Sequence, residues 1–374
     1  MKIGVPKESA EGERRVALVP DVVKSLQAKV SEKIDPVVEA GAGAGAGHTD
    51  AAYQEAGAQV ADAGSAWGAE VVLHVRPLGT EEIAKLGKGQ VVISHLSPLT
   101  AAESNKALAA AGVTAFAMEA IPRTTRAQAM DALSSQANLA GYAATLLAAR
   151  EAGQLFPMMT TAAGTVAPAK VMVLGAGVAG LQAIATAKRL GAIVTGFDIR
   201  RAAWEQIASL GGRPLELDFI PDAEGEGGYA RPLTEEENEQ VRQALAEAAA
   251  KMDVIITTAQ IPGRAAPVLI TEAAVRSMAP GSVIIDLAAD SGGNAEPSKP
   301  GETVVVDGVK VIGPANLVSD MAADASQLYA KNLENLLGLL VDEEGQLKID
   351  FEDDIVDAAC IAHEGQIRGE RTAK

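Results

Sequence analysis

The sequence predicts an α/β protein made of two doubly wound, Rossmann-type parallel-sheet domains, linked by long helices and with a nucleotide cleft between them. Three observations predict it. Residues 171 to 198, VMVLGAGVAGLQAIATAKRLGAIVTGFD, read as strand, glycine turn, helix and second strand, which is one complete dinucleotide-binding unit. Before that unit, short β-branched runs alternate with helix-like segments, the pattern of a parallel sheet covered by helices. Two long Ala- and Leu-rich helical patterns bracket the unit, so the simplest topology returns the chain and lets its last segment complete the first domain.

Taken in order, Lys2 to Val5 reads as a strand, Asp21 to Val30 as a helix and Ile34 to Glu39 as a second strand. Thr49 to Gly57 is helical, Glu70 to Val75 a buried strand, and Glu81 to Leu86 a helix. Val91 to Ser94, Ala101 to Ala111 and Thr114 to Met118 then give strand, helix, strand. Met130 to Gly153 is the first long helix and the connector into the second domain. Beyond the fingerprint, Val254 to Ala259 and Ser282 to Ala288 are continuous apolar runs, as strands buried on both faces require. Thr303 to Val306 and Lys310 to Gly313 flank Asp307-Gly308, a hairpin turn signal near the sheet edge. Ser319 to Val341 is the second long helix. The predicted domains are 1–133 with 322–374, and 134–321. The segment Pro221 to Glu237, PDAEGEGGYARPLTEEE, interrupts this regularity. It reads either as a lid bringing Tyr229 over a bound nucleotide or as a disordered acidic insertion, since long loops inside compact domains are usually one or the other.

Composition excludes several function classes. At 374 residues the chain exceeds the size at which single cores stop growing, about 250 to 300 residues. No uninterrupted apolar run reaches roughly 18 residues, so no direct membrane span is expected; the richest candidate, Val171 to Ala187, is claimed by the nucleotide fold. The N-terminus shows no secretory signal pattern. A net charge of −17 argues against a broad nucleic-acid footprint. One cysteine, Cys360, forbids an internal disulfide and suits a reducing cytoplasm; it reads as a packed small side chain. With four histidines and none at zinc-helix spacing, no metal is expected.

The fingerprint itself carries the chemistry. Gly175 permits the tight turn, Gly177 lets the backbone approach a pyrophosphate, and Gly180 lets the helix pack close to its strand. The helix start then presents N–H groups to the phosphates. Asp198 lies 23 positions after Gly175, near the roughly 20-residue interval at which an acid reaches the adenosine ribose hydroxyls. A carboxylate there repels a 2′-phosphate, so the cofactor expected is NAD(H) rather than NADP(H). Arg200 and Arg201 follow it and read most simply as a solvated helix start.

The sequence resembles, nearly end to end, the alanine dehydrogenase and nicotinamide nucleotide transhydrogenase family. MKIGVPKE with ERRVALVP is similar to the shared N-terminus, the fingerprint to the NAD site, and PGSVIIDLAADSGGN to a later strand and loop. Within the family, residues 122 to 142, PRTTRAQAMDALSSQANLAGY, resemble the NAD(H)-binding component of proton-translocating transhydrogenase, as do FPMMTTAAGT and GGYA; alanine dehydrogenases do not carry the RAQ-x-MD-x-LSSQ run. The resemblance implies a separately encoded subunit whose bound NADH passes hydride directly to NADP⁺, the NADP(H) site lying on a partner domain. Membrane proton-channel subunits would be further partners, the chain a homodimer, and its place the cytoplasmic face of the membrane.

It also implies nicotinamide-site roles for Arg123, Gln128, Asp131 and Ser134. An Arg–Asp pair can stiffen the loop, and Gln and Ser can bond the carboxamide and ribose; equally, Asp131 and Ser134 are residue types that serve a helix start. The nucleotide contacts it implies are Gly175, Ala176, Gly177, Val178, Ala179 and Gly180, then Asp198, Ile199 and Arg200, then Tyr229, Thr258 and Ala259. The alternative branch, an alanine dehydrogenase reducing an imine of pyruvate, needs a substrate-binding cation and a proton donor. Arg15 and His95 match its substrate residues, His74 stands where its lysine belongs, with Arg76 nearby, and Asp290 matches an acid of its later loop. A third alternative is a non-catalytic NADH sensor.

Overall fold

The computed structural model describes residues 1–217, 219, 225, 231, 233–369, 372 and 373. Two compact units account for them, residues 1–136 with 318–374 and residues 137–317. The first opens with β1 (Lys2–Val5), α1 (Pro20–Lys29), β2 (Asp35–Glu39), α2 (Asp50–Glu55), β3 (Gln59–Ala61), α3 (Ala63–Trp67) and β4 (Val71–Leu73). It continues through α4 (Thr80–Ile83), β5 (Val91–Ser94), α5 (Ala102–Ala110) and β6 (Thr114–Ala117), and then α6 (Ala132–Glu151) begins. Local chemistry sets these boundaries. Pro20 supplies a preset φ at the start of α1, whose Val22, Val23 and Leu26 are buried. Thr49 and Asp62 cap α2 and α3 by accepting N–H bonds from Ala52 and Ser65.

The second unit holds β7 (Met159–Thr161), β8 (Gly164–Val166), β9 (Lys170–Leu174), α7 (Val178–Arg189), β10 (Ile193–Phe197), α8 (Ala202–Ser209) and β11 (Arg213–Pro214). After these come α9 (Glu235–Ala249), β12 (Val254–Thr257), α10 (Glu272–Ser277), β13 (Val283–Asp286), β14 (Thr303–Val306) and β15 (Val309–Ile312). The chain returns to the first unit with α11 (Ala322–Leu340), α12 (Asp354–Ala359), β16 (Cys360–His363) and β17 (Gln366–Ile367).

Both large sheets are doubly wound. In the first unit the order is β17-β16-β6-β5-β4-β1-β2-β3, with β6 through β3 parallel, β16 antiparallel to β6 and β17 antiparallel to β16. In the second it is β11-β10-β9-β12-β13-β15-β14, with only β14 antiparallel. Each sheet is buried on both faces, which is why its central strands read as unbroken apolar runs rather than alternating ones. In the second unit Val171, Val173 and Ile256 point into one core, and Met172, Leu174 and Ile255 into the other.

The short elements β3, α3, β11, α10, α12, β16 and β17 add to the pattern read from the sequence, and two further features differ from it. The irregular stretch expected through Glu237 ends earlier: Thr234 accepts from Glu237 N–H at 3.2 Å while Glu237 accepts from Thr234 N–H at 2.7 Å, a capping box that starts α9 at Glu235. That Thr-x-x-Glu signal is in the sequence. The β7–β8 hairpin has no counterpart in the sequence pattern, because its residues carry no alternation, and all six are exposed.

Candidate functional site

In the second unit, strand order reverses between β9 and β12: β10 and β11 lie to one side of β9, β12 and β13 to the other. The carboxyl ends of such a pair are where open α/β sheets bind ligands. Gly175 leaves β9 at φ +92°, a left-handed turn that only glycine adopts without strain, and its N–H donates to Phe197 O at 2.8 Å. Gly177 caps α7, so the N–H groups of Val178, Ala179 and Gly180 have no carbonyl a turn earlier to receive them. A Cβ on Gly180 would sit 1.8 Å from Gly175 O, so helix and turn touch backbone to backbone; one on Gly177 would meet nothing within 4 Å.

Neighbouring strand tips complete the cradle. Thr258 Oγ1 donates to Gly175 O at 3.1 Å, joining the tip of β12 to the glycine turn. Asn294 brackets Ala259, accepting its N–H at 3.0 Å and donating to its carbonyl at 2.8 Å. Behind it lies Asp286, wholly buried, which accepts from Thr257 Oγ1 and from the N–H groups of Ala288, Asn294 and Ala295 at 2.8 to 3.0 Å. Four neutral donors satisfy that carboxylate's lone pairs and fix the loops after β12 and β13. Asp286 and Asn294 are structural anchors of these loops that sequence reasoning does not find, although both lie within the VIIDLAADSGGN run it singles out.

Asp198, at the tip of β10 and 7 % exposed, accepts from Ala176 N–H at 2.8 Å and from Arg200 N–H, Nε and Nη2 at 2.8 to 2.9 Å. Arg200 is therefore not the solvated helix start expected from the sequence; its guanidinium forks onto the acid two residues before it. Arg201 is exposed and lies 5.8 Å from the Trp204 ring, whose Nε1 donates to Asp198 O. Ile199 packs partly buried against the core beneath. Tyr229 lies outside the described residues.

The other four predicted residues belong to the first unit. Arg123 and Gln128 are exposed, on a segment pinned from below by the buried side chains of Ala127 and Met130. Asp131 accepts from Ser134 N–H at 2.8 Å and Ser134 Oγ at 2.6 Å, the N-cap geometry of α6. Three further residues hold this segment: Arg126, inside the RAQ-x-MD-x-LSSQ run, and Asn332 and Asp353, which the sequence does not mark. Asn332 on α11 donates to Ala129 O at 2.9 Å and accepts from Ser135 Oγ at 2.8 Å. Arg126 forks onto Asp353 at 2.6 and 2.8 Å, and that guanidinium holds the Asp353 carboxyl down at about 2. Asp353 in turn caps α12.

The residues of the alternative branch are held by internal partners. Buried Arg15 forks onto buried Glu13 at 2.7 and 2.8 Å, and its Nη1 reaches Gln136 at 3.0 Å. His74 is buried, with Nδ1 2.8 Å from Arg76 O and Nε2 3.4 Å from Glu8 and 3.7 Å from Glu82. Burial pushes the Glu8 carboxyl up, against the opposing pull of His74 and two backbone N–H groups. His95 stacks on the Tyr329 ring at 5.1 Å beside Glu119. Although burial opposes it, His95 and the Ser97 N–H hold the Glu119 carboxyl below its usual range. Arg76 and Asp290 are exposed. Burial raises the Cys360 thiol to about 12, so it serves as core rather than nucleophile.

The family models for alanine dehydrogenase/PNT match this chain at residues 4–140, N-terminal domain, and 144–370, C-terminal domain. The chain belongs to the alanine dehydrogenase/PNT family. Within it, the chain is 50 % identical over 377 residues to the first part of NAD(P) transhydrogenase subunit alpha from Rhodospirillum rubrum, covering 98 % of this chain and 97 % of that protein. The transhydrogenase structure from Sinorhizobium meliloti superposes with a TM-score of 0.86 at 44 % identity, covering 99 % of both chains. Identity to the alanine dehydrogenase of Halomonas elongata is 35 % over 381 residues, covering 98 % of this chain and 94 % of that enzyme. Both family branches thus share this fold over nearly its whole length, and the transhydrogenase branch is nearer in sequence.

Proposed function

We propose that this chain is the NAD(H)-binding component of a proton-translocating transhydrogenase, an oxidoreductase in which hydride passes directly between NADH held here and NADP⁺ on a partner domain. The observation that carries the proposal is the near full-length identity of 50 % to a transhydrogenase alpha subunit against 35 % to an alanine dehydrogenase. The RAQ-x-MD-x-LSSQ run and the commitment of Arg15 to Glu13 and Gln136 support the same branch, since a reductive amination needs a cation available to a carboxylate substrate.

The dinucleotide supplies the hydride when bound, so the protein's own residues need only hold, orient and dry the ring. The glycine turn and the start of α7 receive the pyrophosphate, Asp198 the adenosine ribose, and Thr258 with Ala259 line the approach to the nicotinamide half. Arg123, Gln128, Asp131 and Ser134 set the ring and its ribose, with Tyr229 as a further contact. Purified chain titrated with NADH should bind it without turning it over when pyruvate and ammonium are added, and should oxidise it once an NADP⁺-loaded partner domain is supplied. Steady NADH oxidation with pyruvate and ammonium would move the assignment to Arg15 and His95; binding with no hydride transfer to any such partner would leave a sensor.

We further propose that the chain is a homodimer that meets its membrane subunits at the cytoplasmic face. Among the described residues, no helix is long and apolar enough to cross a membrane. The β7–β8 hairpin supports self-association: a two-stranded hairpin is marginal alone, yet Met158 is 65 % exposed, and Met159 and Val166 are also exposed. Sedimentation should give a dimer at micromolar concentration and a monomer for Met158→Asp/Met159→Asp; a wild-type monomer would sink this proposal of self-association.

A further inference from the structure

We propose that Arg200 is a built-in plug of the ribose site: its guanidinium occupies the acceptor positions on Asp198 that the adenosine ribose requires, so nucleotide binding exchanges one two-pronged contact for another. The inference rests on the reading of Asp198 as the ribose-binding acid.

An ionised carboxylate offers about four lone-pair positions. On Asp198 all four are taken. Oδ1 accepts from Arg200 N–H and Arg200 Nε, both at 2.9 Å, and Oδ2 from Ala176 N–H and Arg200 Nη2, both at 2.8 Å. The two backbone donors belong to the glycine turn and to the bend after β10, and cannot leave without unmaking the fold there. The guanidinium can. Its side chain is about one-fifth exposed, against 8 % for the acid, and swings on a flexible aliphatic stem. Its Nη2 also lies 3.3 Å from Ala176 O, placing the planar group directly over the glycine turn.

A vicinal ribose diol presents two O–H donors side by side, the same pattern that Nε and Nη2 now present to Asp198. Diol and guanidinium therefore compete for one pair of acceptors. The acid is aimed by a partner that must move aside, and the internal ion pair subtracts from the affinity for every nucleotide that uses the diol. A residue that merely braced the turn would act in the opposite direction, because losing it would loosen the site the nucleotide needs.

Nucleotide titrations on the full chain separate these cases. NADH and its adenosine 2′-deoxy analogue are titrated against wild type, Arg200→Ala and Arg200→Lys, with melting temperatures taken without nucleotide. Arg200→Ala should melt lower than wild type yet bind NADH about 3- to 10-fold tighter, the fold-change matching the worth of a partly exposed ion pair. Arg200→Lys, which keeps charge but only one prong, should fall between. Unchanged or weaker NADH binding by folded Arg200→Ala would overturn the plug. The deoxy analogue should bind more weakly than NADH to all three proteins; if each binds it as tightly as NADH, the ribose reading of Asp198 fails instead.

Discussion

Gly180→Ala is expected to lower the melting temperature by on the order of 10 °C and to weaken NADH binding at least about tenfold, whereas Gly177→Ala should weaken binding while leaving the melting temperature unchanged. The two glycines stand three residues apart in one motif, and the structure gives them different reasons. A methyl on Gly180 would lie 1.8 Å from Gly175 O and 3.0 Å from Thr258 Oγ1. Neither neighbour is a flexible side-chain end, so α7 must shift away from its strand, and the N–H groups of its first turn shift with it. At Gly177 the backbone has φ −76°, open to any residue, and a Cβ meets nothing within 4 Å. Glycine is not needed there for packing; the space it leaves is the approach for a pyrophosphate. Thermal melts and NADH fluorescence titrations on the two variants check both halves, and Gly177→Ala with wild-type affinity would remove the phosphates from this turn.

Arg123→Ala is expected to slow hydride transfer in the reconstituted complex by about 100-fold or more while changing NADH affinity by less than about threefold. Direct hydride transfer offers no covalent step to assist, so its rate depends on how closely the two rings are held, and a displacement near 1 Å costs about that factor. Arg123 itself is exposed, and the segment around it is held by other residues: buried Ala127 and Met130, the Asn332 bond to Ala129, and the Arg126–Asp353 fork. Those anchors remain in the truncated variant, and a melt reports whether its fold is kept. Arg123→Lys keeps the charge but loses the planar fork, and should recover only a fraction of the rate. Single-turnover kinetics with NADH here and NADP⁺ on the partner domain decide the matter; a rate within about threefold of wild type would take Arg123 out of the nicotinamide site.

The features of this site legible in the sequence are those in which one short stretch carries its own explanation. The turn at Gly175, the close packing at Gly180 and the acid after β10 follow from a strand, a helix and a strand in immediate succession, where spacing alone fixes geometry. The α9 start is equally local, written in Thr234 and Glu237, but the acidic and glycine-rich stretch before it masks the signal. Asp286 is different in kind. Its four donors come from the end of β12 and from the loop after β13, and nothing at position 286 distinguishes a buried acceptor of four bonds from an ordinary strand-end acid. The same is true of Asn332 and Asp353, which lie about two hundred residues from the segment they hold.

By itself, the sequence determined that this is a parallel α/β protein with a dinucleotide fingerprint, because periodicity, glycine spacing and unbroken apolar strands are local consequences of burying a sheet on both faces. It also carried the family's motif between Pro122 and Tyr142. Tertiary structure alone decided how the charges are spent. Arg15 serves Glu13 and Gln136, His74 lies between two buried acids, and Arg200 covers the carboxylate that the motif assigns to ribose. The physical reason is that a charged side chain in a partly dry site takes whatever opposite charge or lone pair the fold brings within about 3 Å, and that choice depends on three-dimensional neighbours, which sequence spacing does not encode.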